Sequence, residues 1–278
     1  MIVVLASIQL QGQILYEKQD SIIFEKYIKQ MHPHKNLAIS DLIVRTANFF
    51  IDKPYVAQTL EQADKEQLII NLREFDCTTF VESCISLTLT LKSDNPTFDT
   101  FSENLQKLRY RNGQIEGYTS RLHYMSDWIY ENEQRNTFNN ISETLGGTEM
   151  TKAINFMSTH ANLYPHLKNN EHNVDKIKDI EEIITKREYY AVVPKSKIRS
   201  AEKDIESGDI VVFATKTEGL DYSHIGIAIK ENNSLSFIHA SSSKKRVISE
   251  PRNLQQYCHS SKGCFGMTIL RIKEFADD

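Results

Sequence analysis

Hydrophobic positions recur at helical spacing through the first two-thirds of the chain and become short apolar runs in the last third. In "DSIIFEKYIKQ", Ile22, Ile23, Tyr27 and Ile28 form one stripe. In "SDLIVRTANFF", Ile43, Ala47 and Phe50 do the same, with Ser40 or Asp41 as N-cap. "EQLIINL" is rich in branched apolar residues and predicts a strand. From Asp76, the positions of Phe80, Val81, Cys84, Leu87 and Leu91 predict a helix capped by that aspartate. "TFDTFSENLQKLRY", the segment after Ser126 (Asp127 in its first turn) and "VDKIKDIEEIITKR" predict three more helices. Asn139 to Asn173 is polar and yields no assignment. Beyond it "YYAVVP", "GDIVVFA", "HIGIAIK", "LSFIHAS" and "FGMTILRI" predict strands, separated by turns such as "ENNS" and "SSKG".

Helices first and strands last, without alternation of the two, predict an α+β fold with helices packed on one antiparallel sheet. Residues 14–278 are expected to form a single catalytic domain, helical over 14–185 and sheet-rich over 186–278. Residues 1–13, "MIVVLASIQLQGQ", are an apolar run followed by small and polar residues. They resemble the end of a signal peptide without its basic region, or an N-terminal strand. The expectation is a periplasmic or secreted protein, with the cytoplasm as the alternative.

Composition narrows the field. The 278 residues carry 33 basic and 37 acidic side chains, a net charge of −4. No basic stripe stands out, so a nucleic-acid partner is not expected. No run reaches the roughly 18 apolar residues of a membrane span, so stable insertion is not expected either. No CxxC pair or HExxH motif occurs, so neither a metal nor another cofactor is expected. The "HPH" at His32 to His34 reads as a solvated turn. Of the four cysteines, Cys77 and Cys84 lie two helical turns apart, too far to bridge. Cys258 and Cys264 flank a turn and are able to pair in an oxidising compartment.

The stretch "LREFDCTTFVESCISLTLTL" places Cys77 directly after the N-cap. A thiol attacks carbonyl carbon as thiolate, and free cysteine titrates near ~8.5. Unpaired N–H groups and the dipole at a helix start favour negative charge there, and can hold an oxyanion. A lone cysteine on an apolar face is more often a core residue. Two histidines in the late strands shift that balance. In "SHIGIAI", His224 shares a face with Gly226 and Ala228, leaving room for a helix or substrate, while Ile225, Ile227 and Ile229 take the other face. "LSFIHAS" brings His239 onto the next strand, able to orient the first imidazole.

"FDCTTFVES", "SGDIVVFA", "SHIGIAI" and "FIHASS", in that order, resemble the NlpC superfamily of papain-like cell-wall cysteine peptidases and amidases. The resemblance implies a papain-like core with Cys77 as nucleophile, His224 as general base and acid, and His239 as the orienting residue. Tyr222 would help line the site. About 130 residues separate Cys77 from Asp209, and about 70 precede it, which is long for that superfamily. This layout is similar to one branch, the N-acetylmuramoyl-L-alanine amidases that prefer anhydro-muropeptides. Peptidoglycan or its fragments is then the expected partner.

The insert holds "SRLHYMSDW". Arg121, His123, Tyr124 and Asp127 are expected to help bind substrate, Arg121 through a stem-peptide carboxylate, and Asp76 to border the same site. The alternative is that Trp128 and Leu122 are core and Asp127 is a helix-start charge. Arg73 and Glu74 are either a site wall or a surface ion pair. Two rival functions stay open: a peptidase cutting between D-glutamate and the diamino acid of the stem, and a non-catalytic wall-binding module.

Overall fold

A computed structural model of the chain describes residues 14–187, 190–231 and 234–274. The suggested signal-peptide remnant lies outside the described residues. The helices are α1 (Lys18–Met31), α2 (Ile39–Phe49), α3 (Cys77–Lys92), α4 (Phe98–Arg109), α5 (Met125–Gln134), α6 (Phe156–Thr159), α7 (Glu171–Lys186), α8 (Ile198–Ala201) and α9 (Leu254–Ser260). The strands are β1 (Ile14–Leu15), β2 (Leu68–Ile69), β3 (Phe138–Asn140), β4 (Thr148–Met150), β5 (Tyr190–Pro194), β6 (Ile210–Thr215), β7 (Tyr222–Glu231), β8 (Ser234–Ser241), β9 (Arg246–Ser249) and β10 (Cys264–Ile272).

The strands of the last third, joined by β3 and β4 from the middle of the chain, build an antiparallel sheet in the order β4-β5-β10-β6-β7-β8-β9, with β3 also on β10. Both faces are covered. Ile210, Val212, Ile225, Ile227, Ile238 and Leu270 face a large core shared with α1 to α5 and α7. Val211, Phe213, Ala228, Phe237, Met267 and Ile269 face a smaller core under α8 and α9. The period-two alternation of each strand produces this division, because neighbouring side chains leave a strand on opposite sides. The expected "EQLIINL" strand is reduced to β2, which pairs in parallel with β1 outside the main sheet.

α3 is the central helix, between α2, α4 and the strands β7 and β8. Almost its whole circumference is buried, including Ser86 and Thr88, whose burial no apolar stripe announces. Thr88 Oγ1 donates to the Cys84 carbonyl at 2.8 Å, so the burial of that hydroxyl is compensated. α2 departs from expectation by starting at Ile39 after Ala38, ahead of Ser40 and Asp41. α5 likewise starts one residue before Ser126.

Candidate active site

Asp76 caps α3 as its sequence position predicts. The Thr79 N–H donates to Asp76 Oδ1 at 2.8 Å, and the Asp76 N–H donates back to Thr79 Oγ1 at 3.0 Å. The N–H of Phe80 closes the first turn onto the Asp76 carbonyl. This leaves the N–H groups of Cys77 and Thr78 at the open helix end. Cys77 is a free cysteine, half-buried as a residue and packed against the larger core.

The sulfur meets the sheet at an opening. β7 and β8 pair from Ile227 and Ile238 outward, whereas His239 to Ser241 pair only with β9. Where β7 has left β8 but still pairs with β6, the Ile225 backbone lies close to the Cys77 sulfur, as do the Thr78 side chain and the Cys77 backbone, and all three favour its anion. The nucleophile candidate thus touches the residue next to His224.

The His224 side chain leaves the strand opposite to that of Ile225, beside Phe213 and Tyr257, and Tyr257 is itself within electrostatic reach of Cys77. Its Nε2 lies 2.6 Å from His239 Nδ1. His239 Nε2 in turn faces Glu250 Oε2 at 3.3 Å, a poorly aligned contact rather than a full hydrogen bond. Glu250 Oε1 accepts from Arg252 Nε at 2.6 Å. Both histidines, Glu250, Arg252 and Tyr257 line a cavity of about 320 Å³, together with Ser223, Ser241, Ser242 and Ser243; Cys77 is not among its walls. A larger cavity, about 600 Å³, lies at the far end of α3 around Lys92, away from this chemistry.

One expectation is corrected here. The small residues beside His224 do not admit a helix or a substrate. A Cβ on Gly226 would fall 2.5 Å from Phe237 Cδ2, 2.9 Å from the Ile238 carbonyl oxygen and 3.2 Å from His239 Cβ, so the missing side chain makes room for β8 and its Phe237 ring.

A second correction concerns charge. Burial pushes the Cys77 thiol up to about 12, and the Asp76 carboxylate adds to this. Burial pulls His224 down to about 3, helped by His239, and pulls His239 down to about 4 against the opposing pull of Glu250. Burial thus favours a protonated thiol and neutral imidazoles, and it opposes the helix dipole that favours a thiolate. Burial penalises each isolated charge.

The insert residues turn inward. Arg121, only 5% exposed, is held by Glu61 at 2.7 Å and Glu66 at 3.3 Å, so its guanidinium is occupied within the chain. His123 Nε2 bonds the Tyr118 carbonyl at 2.9 Å. The Tyr124 hydroxyl donates to Glu181 and accepts from the Met157 N–H. Asp127 is clasped by Arg111 and Arg187. Tyr222 is buried, with its hydroxyl on Thr268. Trp128 is core against Phe138, and Arg73 forms ion pairs with Glu17 and Asp20. These side chains do not converge on the sulfur. Residues that the sequence reading missed stand closer: Tyr55 and Tyr257 lie within electrostatic reach of Cys77, and Glu250 and Arg252 extend the histidine pair. Cys258 and Cys264 are joined as a disulfide that ties α9, and with it Tyr257, to β10. Among the described residues no group of three or more His, Cys, Asp or Glu side chains could hold a metal ion.

The family model "N-acetylmuramoyl-L-alanine amidase-like" (AmiA-like) matches residues 45–267, which spans every group of this site. The chain belongs to the AmiA-like family. An N-acetylmuramoyl-L-alanine amidase from Bacteroides uniformis is 36% identical to it, with a TM-score of 0.81 over 85% of this chain and 99% of the other. A Bacteroides fragilis protein, provisionally named a xylanase, is 38% identical, with a TM-score of 0.78 over 82% of this chain and 100% of the other. A Legionella pneumophila protein shares the fold at 21% identity and a TM-score of 0.68, covering 92% and 95% of the two chains. No curated protein matches the chain. For an AmiA-like chain the match has a structural meaning: the long insert is part of the shared fold, because these relatives align almost end to end.

Proposed function

We propose that this AmiA-like protein is a cysteine-dependent N-acetylmuramoyl-L-alanine amidase of the papain-like NlpC type, cutting the bond between an (anhydro)muramoyl lactyl carbonyl and L-alanine. Residues 14–278 act as one catalytic unit. The observation that carries the reading is the meeting of the Cys77 sulfur with the Ile225 backbone, one residue from an imidazole pair bonded at 2.6 Å. With Nε2 of His224 engaged by His239, Nδ1 is the nitrogen left for the thiol.

The chemistry follows from these placements. The Cys77 S–H proton passes to His224 as sulfur bonds the carbonyl carbon, and the carbonyl electron pair moves onto oxygen. The open N–H groups at the start of α3 stabilise that oxyanion. Its collapse breaks the C–N bond, and His224 gives its proton to the departing amine of L-alanine. Water then attacks the thioester, losing a proton to His224, and the C–S bond breaks with return of a proton to sulfur. A glycosidase reading, raised by the name of the B. fragilis relative, needs two facing carboxylates. The walls of the histidine cavity include one, Glu250, and it is bound to Arg252.

Mass spectrometry of digested muropeptides tests the bond. Free disaccharide plus an intact stem peptide supports the amidase. Disaccharide dipeptide would instead establish the D-glutamyl peptidase, and undigested muropeptide the binding module.

A further inference from the structure

Glu250 follows β9 and is 4% exposed, although nothing in the mechanism above uses it. Its position is rigid. Its N–H donates to the Phe237 carbonyl at 2.9 Å, and its own carbonyl accepts from Ser236 Oγ. Arg252 approaches Oε1 through its side chain and, at 3.3 Å, through its backbone N–H. Burial alone would raise the Glu250 carboxyl, but these Arg252 contacts outweigh it and hold the group below its ordinary range, hence ionised.

An ionised carboxylate accepts protons in hydrogen bonds and donates none. The ring nitrogen facing it at 3.3 Å is His239 Nε2, and hydrogen belongs on that nitrogen because a bare lone pair there would point at the carboxylate's negative charge. In a neutral imidazole the other nitrogen is then an acceptor, so His239 Nδ1 takes a hydrogen bond. Its partner at 2.6 Å, His224 Nε2, must be the donor. That places the lone pair of neutral His224 on Nδ1. We propose that Glu250 is a positioning residue, an acceptor-only anchor that fixes the tautomer of both imidazoles so that His224 presents a basic Nδ1 to Cys77. Arg252 keeps the anchor charged. The other titratable groups facing this chain are Tyr257, which is within reach of Glu250, Arg252 and Cys77, and Asp76 and Tyr55 on the thiol side.

This role rests on the cysteine mechanism for its effect on rate, but the tautomer itself can be read without catalysis. The experiment compares wild type, Glu250→Gln, Glu250→Asp and Cys77→Ala. Glutamine is nearly isosteric yet can donate to His239 Nε2, which allows both rings to invert and leaves His224 Nδ1 protonated. For Glu250→Gln we expect kcat lower by about 100-fold with KM within twofold, the scale of a lost general base. The acid limb of the rate profile should move to lower pH, because the imidazolium loses its carboxylate. Glu250→Asp keeps the acceptor and should recover at least a tenth of the wild-type rate. ¹⁵N spectra of histidine-labelled Cys77→Ala protein should show His224 protonated on Nε2, and the added Glu250→Gln change should move that proton to Nδ1. Full activity in a folded Glu250→Gln protein, or His224 protonated on Nδ1 with Glu250 present, overturns the proposal. Activity surviving in Cys77→Ala overturns the cysteine mechanism instead, and the ¹⁵N result still judges the anchor.

Discussion

Two buried polar clusters of this molecule use the same residue types to opposite ends. In the insert, Arg121 lies between two carboxylates, Asp127 between two guanidinium groups, and the Tyr124 hydroxyl between a donor and an acceptor. Each of these groups has its counterpart. Along the sheet, His224 and His239 are uncharged at rest, linked by one hydrogen bond, and open to a cavity. Saturated clusters hold elements together, since moving a proton or a side chain would strand a buried charge. A lightly bonded neutral pair can accept a proton and give it back. Degree of saturation, more than residue identity, separates the two.

Breaking the comparison at the sulfur should have the largest effect. Cys77→Ala is expected to lower kcat on muropeptides by on the order of 10⁴-fold or more, with a thermal midpoint near wild type. Residual activity above that level in a steady-state assay would remove Cys77 from the mechanism. On the saturated side, Arg109 and Glu82 form a buried pair at 2.7 Å. Glu82→Ala should cost about 3–5 kcal/mol in a denaturant titration, because Arg109 keeps its charge without its partner. A loss below about 1 kcal/mol would show the pair to be dispensable.

The disulfide sharpens the link between α9 and the site. Its short loop corresponds to a sequence separation of 6, and opening it should remove about 2 kcal/mol. Thermal melts with and without reductant measure this.

The pH dependence is the subtlest contrast. Both histidines titrate below their ordinary value of 6.5, at about 3 and about 4, so the unfolded chain takes up protons that the native chain refuses. Their contribution to stability is complete above pH 6.5 and is lost as pH falls towards these values. Cys77 acts at the other end: the unfolded thiol ionises near 9 while the native one holds its proton up to about 12, so stability drops as pH rises through that window. Denaturant midpoints measured at fixed ionic strength should fall on both sides of a plateau from about pH 6.5 to about 9. A plateau continuing flat to pH 4 would mean that the histidines are not buried as neutral groups.

The Asp76 cap, the helix behind it and the strands holding His224 and His239 were legible because they depend on local rules: capping chemistry and side-chain period. Glu250 and Arg252 escaped because "SEPRN" reads as a polar turn around Pro251, and α9 because a seven-residue helix carries little periodic signal. The hairpin offered one available clue. Pairing "LSFIHAS" with "RVIS" about the intervening turn sets His239 opposite Ile248, two residues before Glu250. The insert misled for the opposite reason. Arg121, His123 and Tyr124 have the composition of a binding surface, and composition carries no information about whether Glu61, Glu66 and Glu181 arrive from elsewhere to occupy them.

By itself, the amino-acid order determined the long helices and the strands of the last third, which residue heads the central helix, and which strands carry imidazole. Those properties arise among neighbours a few residues apart. Only the folded chain decided that β7 and β8 part where the sulfur arrives, that a carboxylate from beyond β9 ends the histidine chain, and that burial favours the protonated thiol. Each of these depends on desolvation and on contacts between residues distant in sequence, and a linear pattern does not encode either.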